Sequence, residues 1–161
     1  MEQRIDAWGK GQAAMKSMFA IGAYLARSAV ETKLQQLIEM RVSQINGCAY
    51  CLDMHSKDLR HGGETEQRLY MLEAWRETPL FTDRERAALA WAEALTLITD
   101  GHVPDEVYEQ ARSQFSEEEL IDLSLAVVAV NSWNRLNIGF RTTPGTYQPG
   151  QWDAIAKGAN N

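Results

Sequence analysis

The sequence predicts an all-α protein, and three observations favour this class. Apolar residues recur at three- and four-residue intervals in most segments, which is the periodicity of a helix with one buried face. Val, Ile and Thr do not gather into the alternating runs that are typical of strands. Proline is scarce until the C-terminal end of the chain. At 161 residues, the chain has the length of one ordinary domain.

The first half of the chain contains three helix predictions. Mixed apolar intervals predict a helix over residues 7–28, and a regular apolar stripe predicts an amphipathic helix over residues 31–43. Asn46-Gly47 then breaks the chain, and a third helix is predicted over residues 48–61, with Gly62 as the left-handed residue after its end. Three glycines weaken the first of these helices: Gly9, Gly11 and Gly22.

Turn and capping signals divide the next part of the chain. A short helix is predicted over residues 65–77, because Pro79 follows it. The sequence Thr82-Asp83-Arg84-Glu85 is typical of a capping box and predicts a helix that continues to about Ile98. Pro104 suits the first turn of the following helix, which is predicted over residues 104–114.

The last predicted helix begins at a second capping box, residues 116–119, and enters the apolar run Leu120–Val130. Because this run is apolar nearly all round, we expect it to be enclosed by its own domain or by another subunit. Polar residues in the segment 131–135 that follows either line a pocket or satisfy the helix end. After Arg141 we expect an irregular tail over residues 142–161, so that the helical domain comprises residues 1–141.

Charge and composition limit the partners. The formal net charge is −6, and Lys and Arg form no cluster, so neither nucleic acid nor an anionic membrane is an expected partner. The first residues lack the layout of a signal peptide, and no apolar run approaches the roughly 20 residues of a membrane span. These features predict a cytoplasmic protein that acts on a small ligand.

Both cysteines lie in one short motif. On a helix, Cys48, Cys51 and His55 follow the i, i+3, i+7 spacing that places side chains on one face, so two sulfurs and an imidazole converge. The first turn of a helix favours the thiolate through unpaired backbone N–H groups and the positive end of the helix dipole. The motif therefore indicates thiol redox chemistry, in which a thiolate attacks an oxidant and the resulting sulfenic acid condenses to a disulfide.

Two other interpretations of the motif stay open from the residues alone. Both thiols can be small buried apolar groups, with His55 a structural histidine. A zinc site with Cys, Cys and His ligands is the second alternative, but it needs a fourth ligand. Only His61 and His102 remain, and His61 points to a different side of the helix, while His102 lies in a loop and is assigned no role.

Residues 43–55, from Ser43 through Cys48, Cys51 and His55, resemble the signature of the carboxymuconolactone decarboxylase-like superfamily, in its alkylhydroperoxidase AhpD-like branch. The likeness continues through residues 63–69, 87–94 and 131–135. It implies a single-domain, all-α AhpD-like helical bundle that assembles into homo-oligomers, often trimers or hexamers. It also implies thiol-dependent reduction of hydroperoxides without a cofactor or metal.

The resemblance also implies a role for each site residue. The second cysteine, Cys51, attacks the peroxide, whereas Cys48 relays a proton and then forms the disulfide, and His55 belongs to the proton relay. A glutamate twelve residues before the first cysteine completes that relay in the family, and here Gln36 occupies its position. A neutral amide cannot accept a proton as a carboxylate does. Glu39, one turn further along the same predicted helix, is the candidate substitute.

A second departure from the family pattern is Tyr50, which stands between the cysteines where the fullest form of the family has a histidine. Both departures favour a weaker or different peroxidase. The reductant that the resemblance implies is a lipoyl-type dithiol or a small thioredoxin-like protein.

The leading hypothesis is therefore a peroxidase that reduces small organic hydroperoxides through Cys51, Cys48 and His55. One alternative is a lactone decarboxylase or a related non-redox reaction on a carboxylated ring, which does not need two thiols. Another is an oligomeric redox sensor or scaffold whose disulfide state changes its assembly.

Overall fold

The computed structural model describes residues 2–152, and within this range the chain forms eight α-helices, one 3₁₀ turn and no strand. The all-α prediction is confirmed. The helices are α1 (Ala7–Lys10), α2 (Gln12–Leu25), α3 (Thr32–Asn46), α4 (Ala49–His61), α5 (Glu66–Met71), α6 (Asp83–Thr96), α7 (Asp105–Gln114) and α8 (Glu117–Phe140), and the 3₁₀ turn is Trp75–Glu77.

Helices α3, α6 and α8 form the centre of the bundle. Each of them packs against the other two, α4 lies against α3 and α8, and α7 covers α6. Their facing side chains are large aliphatic groups that are almost completely buried, and removing such a side chain from water contributes about 1.5–3 kcal/mol. These almost completely buried side chains include Leu37, Ile38, Leu59, Leu89 and Leu123.

Both predicted capping boxes are present. The Thr82 hydroxyl accepts the backbone N–H of Glu85 while the Glu85 carboxylate accepts the N–H of Thr82, and Ser116 and Glu119 make the same reciprocal pair. Pro104 caps α7 from just outside the helix instead of lying within its first turn. The first four backbone N–H groups of a helix have no partner within the helix, so residues next to them in sequence supply the acceptors. Such caps can therefore be predicted from a short stretch of sequence.

The connection from α3 to α4 turns at Gly47, whose φ of 66° lies in the left-handed region. This conformation costs little for glycine and about 1 kcal/mol or more for other residues. The turn directs α4 back along α3, so that residues near the end of one helix face the beginning of the other. The break predicted at Asn46-Gly47 is thereby confirmed.

Three local predictions are wrong. The helix expected over residues 7–28 is interrupted at Gly11, and the one expected over residues 65–77 ends at Met71 before the 3₁₀ turn. Gly62 is not left-handed: its N–H still bonds Asp58 O in the helical pattern, and the left-handed residue is Gly63, at φ 85°. The paired bonds from Gly63 to Arg60 and from Glu64 to Leu59 make this end a Schellman motif one residue later than expected.

Helix α8 does not end at the polar segment 131–135 but continues through it to Phe140. Beyond it, residues 142–152 are irregular and cross the outer face of α4, where the Gly145 N–H donates to Asp53 and the Tyr147 hydroxyl bonds Asp58. The division at residue 141 stays a prediction, since residues 153–161 of the expected tail lie outside the described range. Among the helices described, none has the length and apolar character needed to cross a bilayer.

Candidate active site

The two cysteines lie at the N-terminal end of α4 and are joined by a disulfide. Cys48 is the N-cap residue, just outside the first turn in which it was expected, and its Sγ accepts the backbone N–H of Cys51 at 3.4 Å. Cys51 lies in the first turn itself, where unpaired N–H groups and the helix dipole favour negative charge on sulfur. Each cysteine is 1% exposed, so access depends on a cavity.

Cys51 lines a cavity of about 300 Å³ between α2, α3, α4 and α8. This volume lies at the lower end of the range for small-molecule sites. His55, one turn after Cys51, faces the same cavity, as do Glu39 and Gln36 from α3. The apolar part of its wall comes from the side chains of Trp8, Phe19, Leu25, Met54, Val130, Trp133 and Trp152.

Glu39 and His55 form a carboxyl–imidazole pair at the wall of this cavity. Glu39 Oε2 lies 3.5 Å from His55 Nδ1, and the two side chains are 25% and 9% exposed. The pair exists because α3 and α4 are antiparallel neighbours, which brings residue 39 of one helix opposite residue 55 of the other.

Burial shifts both groups of this pair toward their neutral forms. It raises the pKa of Glu39 to about 8, with a further contribution from the negative charge of Asp58. It lowers the pKa of His55 to about 4. The pair therefore holds one proton over the pH range between these values, and that proton resides on the carboxyl group. A protonated carboxyl beside a neutral imidazole is suited to deliver a proton near neutral pH.

Helix α8 supplies a second polar contact to the sulfur. The Asn137 side-chain amide donates to Cys51 Sγ at 3.5 Å, and Asn137 is 8% exposed. A donor aimed at sulfur stabilises the thiolate more than the thiol, since charged acceptors form the stronger hydrogen bonds.

A buried amide cluster fixes the turn that precedes Cys48. Asn46 Nδ2 donates to Asn131 at 3.0 Å and to Asn134 at 2.9 Å, and Asn134 in turn donates to Ser43 at 3.1 Å. Ser43 and Asn134 are completely buried. The cluster ties the end of α3 to α8, so the motif that carries the cysteines has a defined position against the helix that carries Asn137.

The structure brings the five predicted site residues close together, but not all of them line the cavity. Cys51, His55, Glu39 and Gln36 line the cavity, whereas Cys48 lies behind Cys51 in the disulfide. Glu39, the candidate substitute, is the residue that contacts His55. Within residues 2–152, no group of three His, Cys, Asp or Glu side chains is arranged to hold a metal ion, so the zinc alternative has no ligand set there.

Comparison with known proteins identifies the family of this chain. A profile of the family described as the Carboxymuconolactone decarboxylase family matches residues 12–94, which is more than half of the chain and contains both cysteines, Glu39 and His55. The chain belongs to the carboxymuconolactone decarboxylase family. This family takes its name from an enzyme, and a solved structure that is 39% identical to this chain places it in the AhpD-like branch.

Three similar proteins illustrate the range of similarity. YdfG of Bacillus subtilis (strain 168), an uncharacterized protein, is 44% identical over 138 residues, which cover 86% of this chain and 94% of YdfG. A crystal structure of a protein of unknown function from Agrobacterium tumefaciens, described as a candidate antioxidant defence protein AhpD, is 39% identical with a TM-score of 0.87 and covers 91% of this chain and 100% of its own.

The third is a structural neighbour, an uncharacterized peroxidase-related protein from Ralstonia eutropha JMP134, described as an alkylhydroperoxidase AhpD core. It has a TM-score of 0.74 and is 19% identical, with coverage of 84% of this chain and 72% of its own. At that identity the similarity concerns the fold alone.

In this member of the carboxymuconolactone decarboxylase family, several cavity residues were not anticipated from sequence. Asn137 lies just beyond the polar segment 131–135 that was singled out, and Trp8 and Trp152 come from the two ends of the described chain. The signal that could have found Asn137 is its spacing: it follows Asn134 by three residues and Trp133 by four, and so shares a helix face with them.

Proposed function

We propose that this protein is a thiol-dependent peroxidase that reduces small organic hydroperoxides through Cys51 and Cys48. One observation carries the proposal: Cys51 faces the same cavity as the one-proton pair of Glu39 and His55. A nucleophilic sulfur and a proton donor beside a space for a small molecule are the groups that peroxide reduction requires.

The first step begins from the reduced protein. The Cys51 thiolate, stabilised by Asn137, attacks the outer oxygen of the hydroperoxide, and the O–O bond breaks. The sulfur becomes a sulfenic acid, and the alkoxide leaves with a proton as the alcohol. Glu39 supplies that proton through His55, which takes it at Nδ1 and releases another from its second ring nitrogen.

The second step forms the disulfide. The sulfur of Cys48 attacks the sulfur of Cys51, the S–O bond breaks, and water leaves with the proton of the Cys48 thiol. The Cα atoms are 5.3 Å apart, within the ordinary range for a disulfide. An external dithiol, of the lipoyl or thioredoxin-like class, then returns two electrons by thiol–disulfide exchange.

The test is to map the oxidation site. Reduced protein receives one equivalent of an organic hydroperoxide in the presence of a sulfenic-acid trap, and mass spectrometry locates the product. We expect a Cys48–Cys51 disulfide in the wild type, a trapped sulfenic acid on Cys51 in Cys48→Ser, and no rapid oxidation in Cys51→Ser. Dihydrolipoamide or thioredoxin should restore the thiols. Sulfenic acid on Cys48, or two unreacted thiols, would contradict the proposal.

The non-redox alternative has weaker support. A decarboxylase that acts on a carboxylated ring needs a cation near its substrate carboxylate, and the described cavity wall contains Glu39 and Asp58 but no Lys or Arg. Retention of turnover on such a substrate by both Cys→Ser variants would favour this alternative.

A redox sensor whose disulfide controls assembly is the other alternative. Light scattering with and without reductant distinguishes it from a peroxidase, because only the sensor requires the mass of the assembly to change.

We also propose that the protein assembles into a homo-oligomer, as trimers or hexamers, and acts in the cytoplasm, where dithiol reductants are supplied. The support for assembly is that α8 packs on several helices of its own chain yet leaves Ile121, Val128 and Ile138 exposed at 67%, 55% and 45%. Sizing the protein in solution tests the assembly.

A further inference from the structure

Part of the cavity lining is formed by three tryptophans, which we call the indole wall: Trp8, Trp133 and Trp152. Trp8 stacks on Trp152 with centroids 4.5 Å apart and planes 19° apart, and on Trp133 at 5.5 Å and 21°. Phe19 leans against Trp133, with centroids 5.4 Å apart.

The indole wall has a fixed position. Trp133 belongs to the long helix α8, Trp8 to α1, and Trp152 to the irregular segment beyond α8. Trp152 lines the same cavity as Tyr50, which precedes Cys51 on α4. The wall is therefore held together by ring stacking between residues of three separate segments.

An aromatic wall favours an aromatic ligand. Aromatic rings gain about 0.5–1.5 kcal/mol from offset or tilted contacts beyond the burial of their area. An aliphatic ligand of similar size gains only the burial. The cavity, at about 300 Å³, suits a single substituted ring better than a long chain.

The charge of the wall excludes a second class of ligand. The described residues around the cavity include two carboxyl groups, Glu39 and Asp58, and no Lys or Arg. A ligand carboxylate would lose its hydration without gaining a cation from these residues. Hydroperoxides of fatty acids, which are long and anionic, are thus disfavoured on two grounds.

From this arrangement we infer that the cavity selects uncharged aromatic hydroperoxides, with the ring against the indole wall and the peroxide group at Cys51. The inference rests on the proposed function and names its substrate class. The reaction is unchanged: Cys51 takes the outer oxygen, the aryl-substituted alcohol leaves with a proton from the Glu39–His55 pair, and the external dithiol returns the two electrons.

The test separates binding from reaction. Calorimetry on the oxidised protein measures binding of 2-phenyl-2-propanol, the alcohol formed from cumene hydroperoxide. tert-Butanol, which lacks the ring, and the same aromatic alcohol with a ring carboxylate serve as matched comparisons. We expect the aromatic alcohol to bind at least about 10-fold more tightly than either, and Trp133→Leu and Trp8→Leu to weaken it about 5- to 10-fold. Tyr108→Leu, which changes an exposed ring packed on Trp91, should leave binding unchanged.

Rates complete the test. On reduced protein, kcat/KM for cumene hydroperoxide should exceed that for tert-butyl hydroperoxide, and Trp133→Leu should reduce this preference. Equal rates with the two hydroperoxides, together with no selective binding of the aromatic alcohol, would overturn the inference and leave the peroxidase proposal intact. Selective binding of the alcohol without oxidation of Cys51 by either hydroperoxide would support the aromatic cavity and overturn the peroxidase proposal instead.

Discussion

Glu39 Oε2 lies 3.5 Å from His55 Nδ1, and this contact joins a partly buried carboxyl group to the imidazole that follows Cys51 on α4. At the position where the family has its relay glutamate, this chain has Gln36, which also faces the cavity. A carboxyl group is thus available from the next turn of the same helix, and the proposed proton relay keeps its acid although the residue number differs.

Replacing Glu39 by Gln should reduce the rate of Cys51 oxidation by organic hydroperoxide about 100-fold, because a positioned proton donor contributes at least that much. The pKa of Glu39, raised to about 8 by burial, also predicts a pH dependence. The wild-type rate should fall above about pH 8 as the carboxyl group loses its proton, and Glu39→Gln should lack this decline. Stopped-flow measurement of peroxide consumption across pH provides both results.

The matched control is Gln36→Ala, which alters the same wall of the cavity without removing the carboxyl group. We expect less than about a 5-fold change in rate for this variant. A larger effect of Gln36→Ala than of Glu39→Gln would mean that the amide, not the carboxyl group, serves the relay.

The same pair predicts how stability changes with pH. Folding raises the pKa of Glu39 from 4.5 to about 8 and lowers that of His55 from 6.5 to about 4. Between about pH 4.5 and 6.5, the extra proton on folded Glu39 offsets the one missing from folded His55. Between about pH 6.5 and 8 only Glu39 differs, and the folded state holds more protons than the unfolded state. The free energy of unfolding should therefore fall there by up to about 2 kcal/mol.

Urea unfolding of the oxidised wild type and of Glu39→Gln at about pH 6.5 and pH 8.5 measures this change. The decline should be absent from the variant, whose amide does not titrate. If the free energy of unfolding of the wild type does not fall across this range relative to that of Glu39→Gln, folding does not raise the proton affinity of the pair and the assignment is wrong.

Asn137 should control the acidity of Cys51. Replacing it with Leu removes the N–H that donates to Sγ at 3.5 Å while keeping the volume filled. Because a hydrogen bond to a charged acceptor contributes about 1.5–3 kcal/mol, the pKa of the Cys51 thiol should rise by about one unit or more. Thiolate absorbance against pH, measured in a Cys48→Ser background, gives the value. Ser132→Ala on the same helix, whose hydroxyl bonds only to Val128 O among the contacts described, is the control.

Asn134 should matter for stability more than for chemistry. Its side chain is completely buried between Asn46 and Ser43, and Asn134→Ala leaves polar groups of both residues without this partner. An unsatisfied buried polar group costs about 1–3 kcal/mol, so the free energy of unfolding should fall by about 2–3 kcal/mol. Denaturant titration checks this, and a loss below about 0.5 kcal/mol would show that the cluster does not fix the turn before Cys48.

The sequence was informative wherever one helix determines the outcome. The spacing of Cys51 and His55 placed both side chains on one face, and they line one cavity. The capping boxes at Thr82 and Ser116 were read correctly because a cap involves residues three positions apart. The exact end of α4 was not predicted correctly. Gly62 and Gly63 are both able to adopt the left-handed conformation of a Schellman motif, and the sequence does not distinguish them.

Contacts between side chains of different helices could not be predicted from the sequence. Whether Gln36 or Glu39 meets His55 depends on the rotation of α3 against α4, which packing across the whole interface determines. Asn137 contacts Cys51 across 86 positions of the chain, and no periodicity connects residues so far apart. Trp8 is further still in sequence from Trp133 and Trp152, although each of the three was visible as a large aromatic residue.

The cysteine motif of α4 and the indole wall lie in different parts of the sequence, which has an evolutionary consequence. In the proposed reaction, electron exchange depends on the compact motif of residues 48–55, whereas Trp8 and Trp152, stacked 4.5 Å apart, come from opposite ends of the described range. Substitutions at those peripheral positions can change which molecules are admitted while the sulfur chemistry stays intact. Divergent relatives with the same cysteine motif would then be expected to differ in substrate preference before they differ in mechanism.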